Sequence, residues 1–450
     1  MRILNQMGLL NAGRGDNETA MRYLREADQL FKECVAAGKV APFALRDLVL
    51  SVEEWASDNA RQKEFESEQI LALFYLAQVY GNLDRRDESA DCLKETLQRQ
   101  LTTKQYNVKE WALNCATLSN YYIGIGNYPV ARHCLASADK VLTSLLSDSD
   151  DEDGSIAKSK ADICRCWITY CLDLLRRSAS FSERIDDLPY SPSNHFFDLD
   201  VSEYESRVPA CSARTFDAAR ALYLAASHHV ESAKLFYVLD GHVNDHVDIV
   251  QQHSQLFKVL ASFESDRDRQ CKMHKRRIDM LEELVGRLNR QFYLQLCRQM
   301  LFELAEAYNS MVDLKISIAG DTSPSPSSQR AMQKINRLIK KAIGQFDEFV
   351  ESYRDHKKEF PEAFDDVSLR PVLTAKFCMA RLWTKFVVGE TARRVENTSK
   401  ALGLYKEIVD YKRNHPDMPD VFAEEMSVCE EMITLLPIKL AKLTTYSTAN

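Results

Sequence analysis

At 450 residues the chain is about three times an average domain of ~150 residues, long enough for a substantial core or an elongated array. Glycine (14) and proline (12) are scarce while 45% of the residues are apolar, a balance that predicts long helices. The 58 basic and 66 acidic residues leave a net charge of −8, which argues against a general nucleic-acid binder, whose phosphate contacts need clustered Lys and Arg, and suits a basic partner instead.

Four segments share one register, in which an apolar anchor and a small residue are followed 13, 17 and 20 positions after the anchor by a second stripe. In chain order, Met7-Gly8 leads to Ala20, Leu24 and Ala27, and Leu76-Ala77 leads to Ser89, Leu93 and Thr96, with Tyr80 one turn beyond its anchor. Leu118-Ser119 leads to Ala131, Leu135 and Ala138, with Tyr122 in the place of Tyr80, and Val388-Gly389 leads to Ala401, Tyr405 and Ile408. Each reads as two short helices and a turn. Gly126-Asn127 supplies a permissive turn backbone, and small residues on the second helix let the pair approach closely. This resembles the tetratricopeptide repeat. The expected fold is all-α, a right-handed α-solenoid of tetratricopeptide-like helical hairpins whose first helices line a concave groove.

The groove should receive residues that flank the inward anchors. These are Tyr75 and Gln78 around Leu76, and Thr117 and Asn120 around Leu118, each pair three residues apart on one helical face. Such a ladder suits gripping another helix, and it is equally consistent with solvated positions on an ordinary helix. Breaks at 148–155, 178–210 and 320–328 divide the chain. They give an N-terminal array over 1–147, an acidic loop over 148–156, a linker helix over 157–177, a loop over 178–210 and a C-terminal array over 211–450. In the last array, Phe292, Leu296, Met300, Leu304, Tyr308 and Met311 recur at helical steps and read as core.

No catalytic constellation emerges. His242 and His246 stand at i, i+4 without the third ligand or general-base Glu of a metal helix, and Cys164-x-Cys166-x4-Cys171 lacks a CxxC pair, so neither metal nor cofactor is expected. Gly124-Ile-Gly126 follows a helix rather than a strand and reads as the repeat's turn, not a phosphate loop. Lys272, Lys275, Arg276 and Arg277 are flanked by Glu264, Asp266, Asp268, Glu282 and Glu283, which predicts internal salt bridges. Ser323-Pro324-Ser325-Pro326 reads as a flexible linker, with proline-directed phosphorylation as the functional alternative. No apolar run reaches the ~18 residues of a membrane span, the start has no signal-peptide form and the end has no prenylation cysteine. A cytoplasmic location without membrane insertion is expected, with the twelve cysteines reduced.

Particular stretches go further. Phe74-Tyr75-Leu76-Ala77-Gln78-Val79-Tyr80, Glu110-Trp111-Ala112 into Ala116-Thr117-Leu118-Ser119, Ala131-Arg132-His133-Cys134-Leu135, Cys164-Arg165-Cys166-Trp167-Ile168, Leu256-Phe257-Lys258-Val259-Leu260-Ala261, the run from Cys271 to Ile278, and Leu369-Arg370-Pro371 resemble the KIF-binding protein family. The resemblance implies an inhibitor of a subset of kinesins, a tetratricopeptide-like solenoid that clasps the motor domain in its concave groove and keeps it from the microtubule. It places the groove contacts on Tyr75, Gln78, Gln100 and Thr117, of which all but Gln100 are also reached from spacing. It further implies roles in microtubule-based transport, including that of mitochondria, in cytoskeletal organisation, and in axon growth and neuronal differentiation. The chain opens inside a repeat, so it is expected to be a short member or one lacking its N-terminal cap. The alternative reading is a generic scaffold or a co-chaperone adaptor; a clamp of the latter kind for acidic peptides needs basic first helices, and the corresponding faces carry Asn5, Leu9, Tyr75, Gln78, Thr117 and Asn120.

Overall fold

The computed structural model describes residues 1–38, 57–146, 154–180, 195–320, 326–419 and 422–448. Among them sixteen helices form and no strand does, and the chain divides into two compact units, Met1–Val238 and Leu239–Asn450. The all-α, solenoid-like arrangement is as expected.

In the first unit the helices are α1 (Arg2–Gly13), α2 (Asn17–Ala36), α3 (Asp58–Asn82), α4 (Arg86–Thr103), α5 (Val108–Gly124), α6 (Tyr128–Leu146), α7 (Ser155–Ala179), α8 (Ser202–Ser206) and α9 (Phe216–Phe236). Asp16, Ser57, Asn107 and Thr215 begin four of them, each side chain accepting a hydrogen bond from a backbone N–H of the first turn that would otherwise be unpaired. The α5–α6 turn needs Gly126 at φ +78°, a left-handed conformation that side chains resist. Arg177 of α7 reaches that turn and donates to the carbonyls of Ile123 and Gly124, at 3.3 and 3.0 Å, which caps the C-terminal end of α5.

The second stripes are buried on α2 (Ala20, Leu24 and Ala27) and α6 (Ala131, Leu135 and Ala138), whereas on α4 only Thr96 is buried and Ser89 and Leu93 are half-buried. Leu76 and Leu118 are buried as anchors, and Ser89 donates to the Ala77 carbonyl across the α3–α4 pair at 2.7 Å. Two anchors differ from expectation. Met7 is exposed, while among the described helices α1 packs chiefly on α2 and α3; Gly8 is buried at that contact, and a Cβ there would lie 2.6 Å from the Leu24 Cγ. Val388 lies between helices. The first three hairpins turn in three residues, whereas the connection to the helix bearing Ala401, Tyr405 and Ile408 takes six, so a 13-residue offset falls in the loop.

The helix expected over 157–177 runs Ser155–Ala179 and packs on α5, α6 and α9, so the first compact unit continues through it to Val238, past the breaks used to divide the sequence. Its apolar face buries Ile163, Trp167, Ile168, Tyr170, Leu174 and Leu175. The stretch expected as loop contains α8, and the acidic run 148–153, residues 181–194 and Ser323 to Ser325 lie outside the described residues.

The second unit comprises α10 (Val243–Phe263), α11 (Arg267–Arg287), α12 (Leu294–Gly320), α13 (Pro326–Glu351), α14 (Asp366–Thr384), α15 (Thr391–Asn414) and α16 (Ala423–Thr448). Successive helices pack on one another around Ile278, Leu281, Met300, Leu304, Tyr308, Ile339, Phe346 and Val372, all at most 2% exposed. Met311 completes the predicted stripe and Leu296 packs at its edge, but Phe292 precedes α12 and is 78% exposed. Full burial of such side chains contributes about 1.5–3 kcal/mol each before conformational entropy is counted.

Candidate functional site

Gln78, Thr117 and Asn120 are exposed, and Tyr75 is half-buried. They occupy equivalent places on α3 and α5 because Leu76 and Leu118 turn inward and set the rotation of both helices. Tyr75 rests on the cluster of Ala20, Leu24, Leu76, Val79 and Tyr80, edge-on to Phe74 at 5.6 Å, so its ring is held in place without being enclosed. Thr117 spends its hydroxyl on the Leu113 carbonyl of its own helix, at 2.9 Å, while the Asn120 amide lies near Cys166 of α7 and slightly offsets the effect of burial on that thiol. The face offers an anchored ring and polar side chains, with little charge for a carboxylate to pair with.

Gln100 sits elsewhere. It lies on α4, on the inward stripe of Leu93 and Thr96, half-buried, with its Oε1 enclosed and without a hydrogen-bond partner. Asn5, expected at a groove-facing position, is buried instead and donates to the Glu68 carbonyl and carboxylate of α3 at 2.8 and 2.9 Å.

The thiols are not chemically poised. Cys164 and Cys166 are pushed up to about 12 and about 11 by burial, and Cys171 higher still, which keeps all three protonated beside Trp167. All twelve cysteines are unpaired. His242 caps α10 and His246 follows in its first turn, and no third ligand joins them among the described residues. In the basic cluster of α11, Lys275 pairs with Asp279, while the fully buried Arg277 finds its carboxylate on α12, Glu303 at 3.4 Å, rather than on the flanking acids.

One group of three side chains that resembles a metal site does assemble: His133 of α6, Glu205 of α8 and His195. The imidazoles stack 4.6 Å apart with 18° between their planes. A shared cation would have to lie in both ring planes, which nearly parallel stacked rings do not allow. Spacing could not reveal this cluster, since its members are more than 60 residues apart in pairs with His133; the signal available was the adjacent Phe196-Phe197 in an otherwise polar stretch.

The family model described as KIF-1 binding protein C terminal matches residues 109–443. The chain is similar to the KIF-binding proteins of Homo sapiens, 37% identical over 98% of this chain and 76% of that protein, and of Danio rerio, 36% identical over 98% and 75%. A Drosophila melanogaster relative is 29% identical over 97% of this chain and 77% of its own. The fold is similar to that in a cryo-EM structure of KIFBP, with a TM-score of 0.68 and 31% identity over 99% of this chain and 83% of that one. With anchors, stripes and packed helices in place over the matched length, the chain belongs to the KIF-binding protein family.

Proposed function

We propose that the chain is a non-catalytic adaptor that binds the motor domains of a subset of kinesins through the face carrying Tyr75, Gln78, Thr117 and Asn120, with Gln100, and thereby blocks their attachment to microtubules. The observation that carries this reading is family membership along nearly the whole chain, joined to exposed, equivalently placed side chains on consecutive first helices. Tyr75 packs on the bound helix, Gln78 and Asn120 fix its register by hydrogen bonds, and the unpaired Gln100 Oε1 accepts a donor as α4 adjusts. A surface that holds acidic microtubules must be basic, and a net charge of −8 complements it. The raised thiol pKa values favour a binding role over a catalytic one. No helix among the described residues is long and apolar enough to cross a membrane, in keeping with a cytoplasmic adaptor on the cytoskeleton that serves organelle transport and axon growth.

Purified protein is tested against a panel of kinesin motor domains, with and without polymerised microtubules. Tyr75→Ala is expected to weaken binding by about 2 kcal/mol, roughly thirtyfold, with a smaller loss for Gln78→Ala. Microtubules are expected to compete. Unchanged motor binding by folded Tyr75→Ala would remove this face from the interaction, and absence of binding to every motor would remove the kinesin reading.

A further inference from the structure

We propose that residues 195–208 form a proton-sensitive strap, closed over α4, α5 and α6 while His133 is neutral and released when His133 takes a second ring proton.

The strap crosses three helices without regular structure until α8. Phe197 is buried edge-on against Trp111 of α5 at 5.1 Å, and Phe196 lies under the Lys94 ammonium at 4.5 Å. Gln98 donates to the Phe196 carbonyl at 2.8 Å, and Arg132 donates to the Val208 carbonyl at 3.2 Å. His133 joins these contacts from α6, and it is fully buried. Its Nε2 lies 3.3 Å from the Phe197 backbone N–H, and a backbone amide can only donate, so Nε2 is the acceptor and carries no proton. The ring proton is therefore on Nδ1, where it is donated to Glu205 Oε1 at 3.1 Å. Both nitrogens are committed. A proton added at Nε2 turns it toward the Phe197 N–H donor to donor, and so removes the bond that seats Phe197.

The charged and titratable groups bearing on His133 are Glu205 from α8, His195 from the strap itself and Arg132 from its own helix. Burial lowers the His133 pKa from 6.5, His195 and Arg132 lower it further, and Glu205 opposes them without prevailing. The released strap restores the ordinary value. Below pH ~6.5 the open form thus binds a proton that the closed form refuses, and closure weakens by up to about tenfold per pH unit until the closed form's own pKa is reached. Glu205 is held below its ordinary 4.5, so its contribution persists until pH falls beneath that range and does not confuse a test between 7.5 and 5.5. Release uncovers Trp111 and removes one wall, Phe196 to Leu199, of a cleft of about 820 Å³ whose other wall includes Gln98, Leu101, Tyr106 and Val108. Nothing in this inference depends on the identity of the partner.

Hydrogen exchange of the 195–208 amides, corrected for intrinsic rates, is measured on the full chain at pH 7.5, 6.5 and 5.5. Protection is expected to fall by up to about fivefold between the last two, since half of the open form is already protonated at pH 6.5. His133→Gln, whose side-chain carbonyl accepts from Phe197 without titrating, should hold constant protection, and Phe197→Ala should be unprotected throughout and define the open state. Constant protection in the wild type, or the same loss in His133→Gln, overturns the proposal. Should His133→Gln lose its helical circular dichroism, the wild-type His133 ring signals decide: titration in step with strap exposure supports the proposal, and strap exposure without titration overturns it.

Discussion

The two units bury charge in different ways. In the second, Arg277 is held entirely by helical side chains: Ser254 of α10 at 3.1 Å, Glu303 of α12 at 3.4 Å and His274 of its own helix at 3.2 Å, with Ser254 also donating to Glu303 at 2.6 Å. In the first, His133 of α6 meets Glu205 on the short helix α8, inside the strap that crosses α4, α5 and α6. A charge pair clamped between helices can separate only if helices separate. A pair made with a strap laid across the stack can open without the helices beneath it separating. Burial of ionic groups therefore stiffens one unit and makes part of the other releasable.

The largest test of this contrast is Arg277→Ala. It strands Glu303 in the core and is expected to destabilise the second unit by about 3–5 kcal/mol, measured by urea unfolding, while Arg277→Met combined with Glu303→Leu should recover most of the loss. A cost below 1 kcal/mol for the single variant would mean that the pair clamps nothing.

Asp139 of α6 sharpens the comparison from the first unit. Trp167 of α7 donates its indole N–H to the carboxylate at 2.7 Å, yet burial raises the pKa to about 6 from 3.8. A raised carboxyl pKa contributes stability in full below 3.8 and loses it as pH rises through 6, so the ionised form is the strained one at neutral pH. Asp139→Asn keeps an acceptor for Trp167 and should stabilise by about 1 kcal/mol at pH 7.5, a figure reduced for the residue's partial exposure, with the gain vanishing below pH ~4 in thermal melts. The smallest effect is expected from Gly344→Ala on the exposed side of α13, where an added Cβ meets nothing: a gain of about 0.5–1 kcal/mol in the second unit alone.

The sequence made the hairpins legible wherever turn length stayed constant, as at Leu76 and Leu118 with their stripes. It misled at Val388, where a longer connection broke the offset, and at Met7, where Gly8 rather than the anchor meets Leu24. Gln78, Thr117 and Asn120 were readable as outward positions because an inward anchor fixes the rotation of a helix. Gln100 was not, since its place on an inward stripe follows from α4 rather than from any first helix. The partner of Arg277 and the strap escaped for the same reason: periodicity reports which face of a helix is inside, not which distant residue meets it there.

That distance has a consequence for the order of folding. Hairpin contacts join neighbouring helices, whereas the strap's bonds link Gln98 to Phe196, His133 to Phe197, His133 to Glu205 and Arg132 to Val208 across 98, 64, 72 and 76 residues. Closing such loops costs entropy that is returned only once α4, α5 and α6 already present their surface. The strap is expected to dock after the stack it crosses has formed, with Trp111 exposed until Phe197 arrives to cover it.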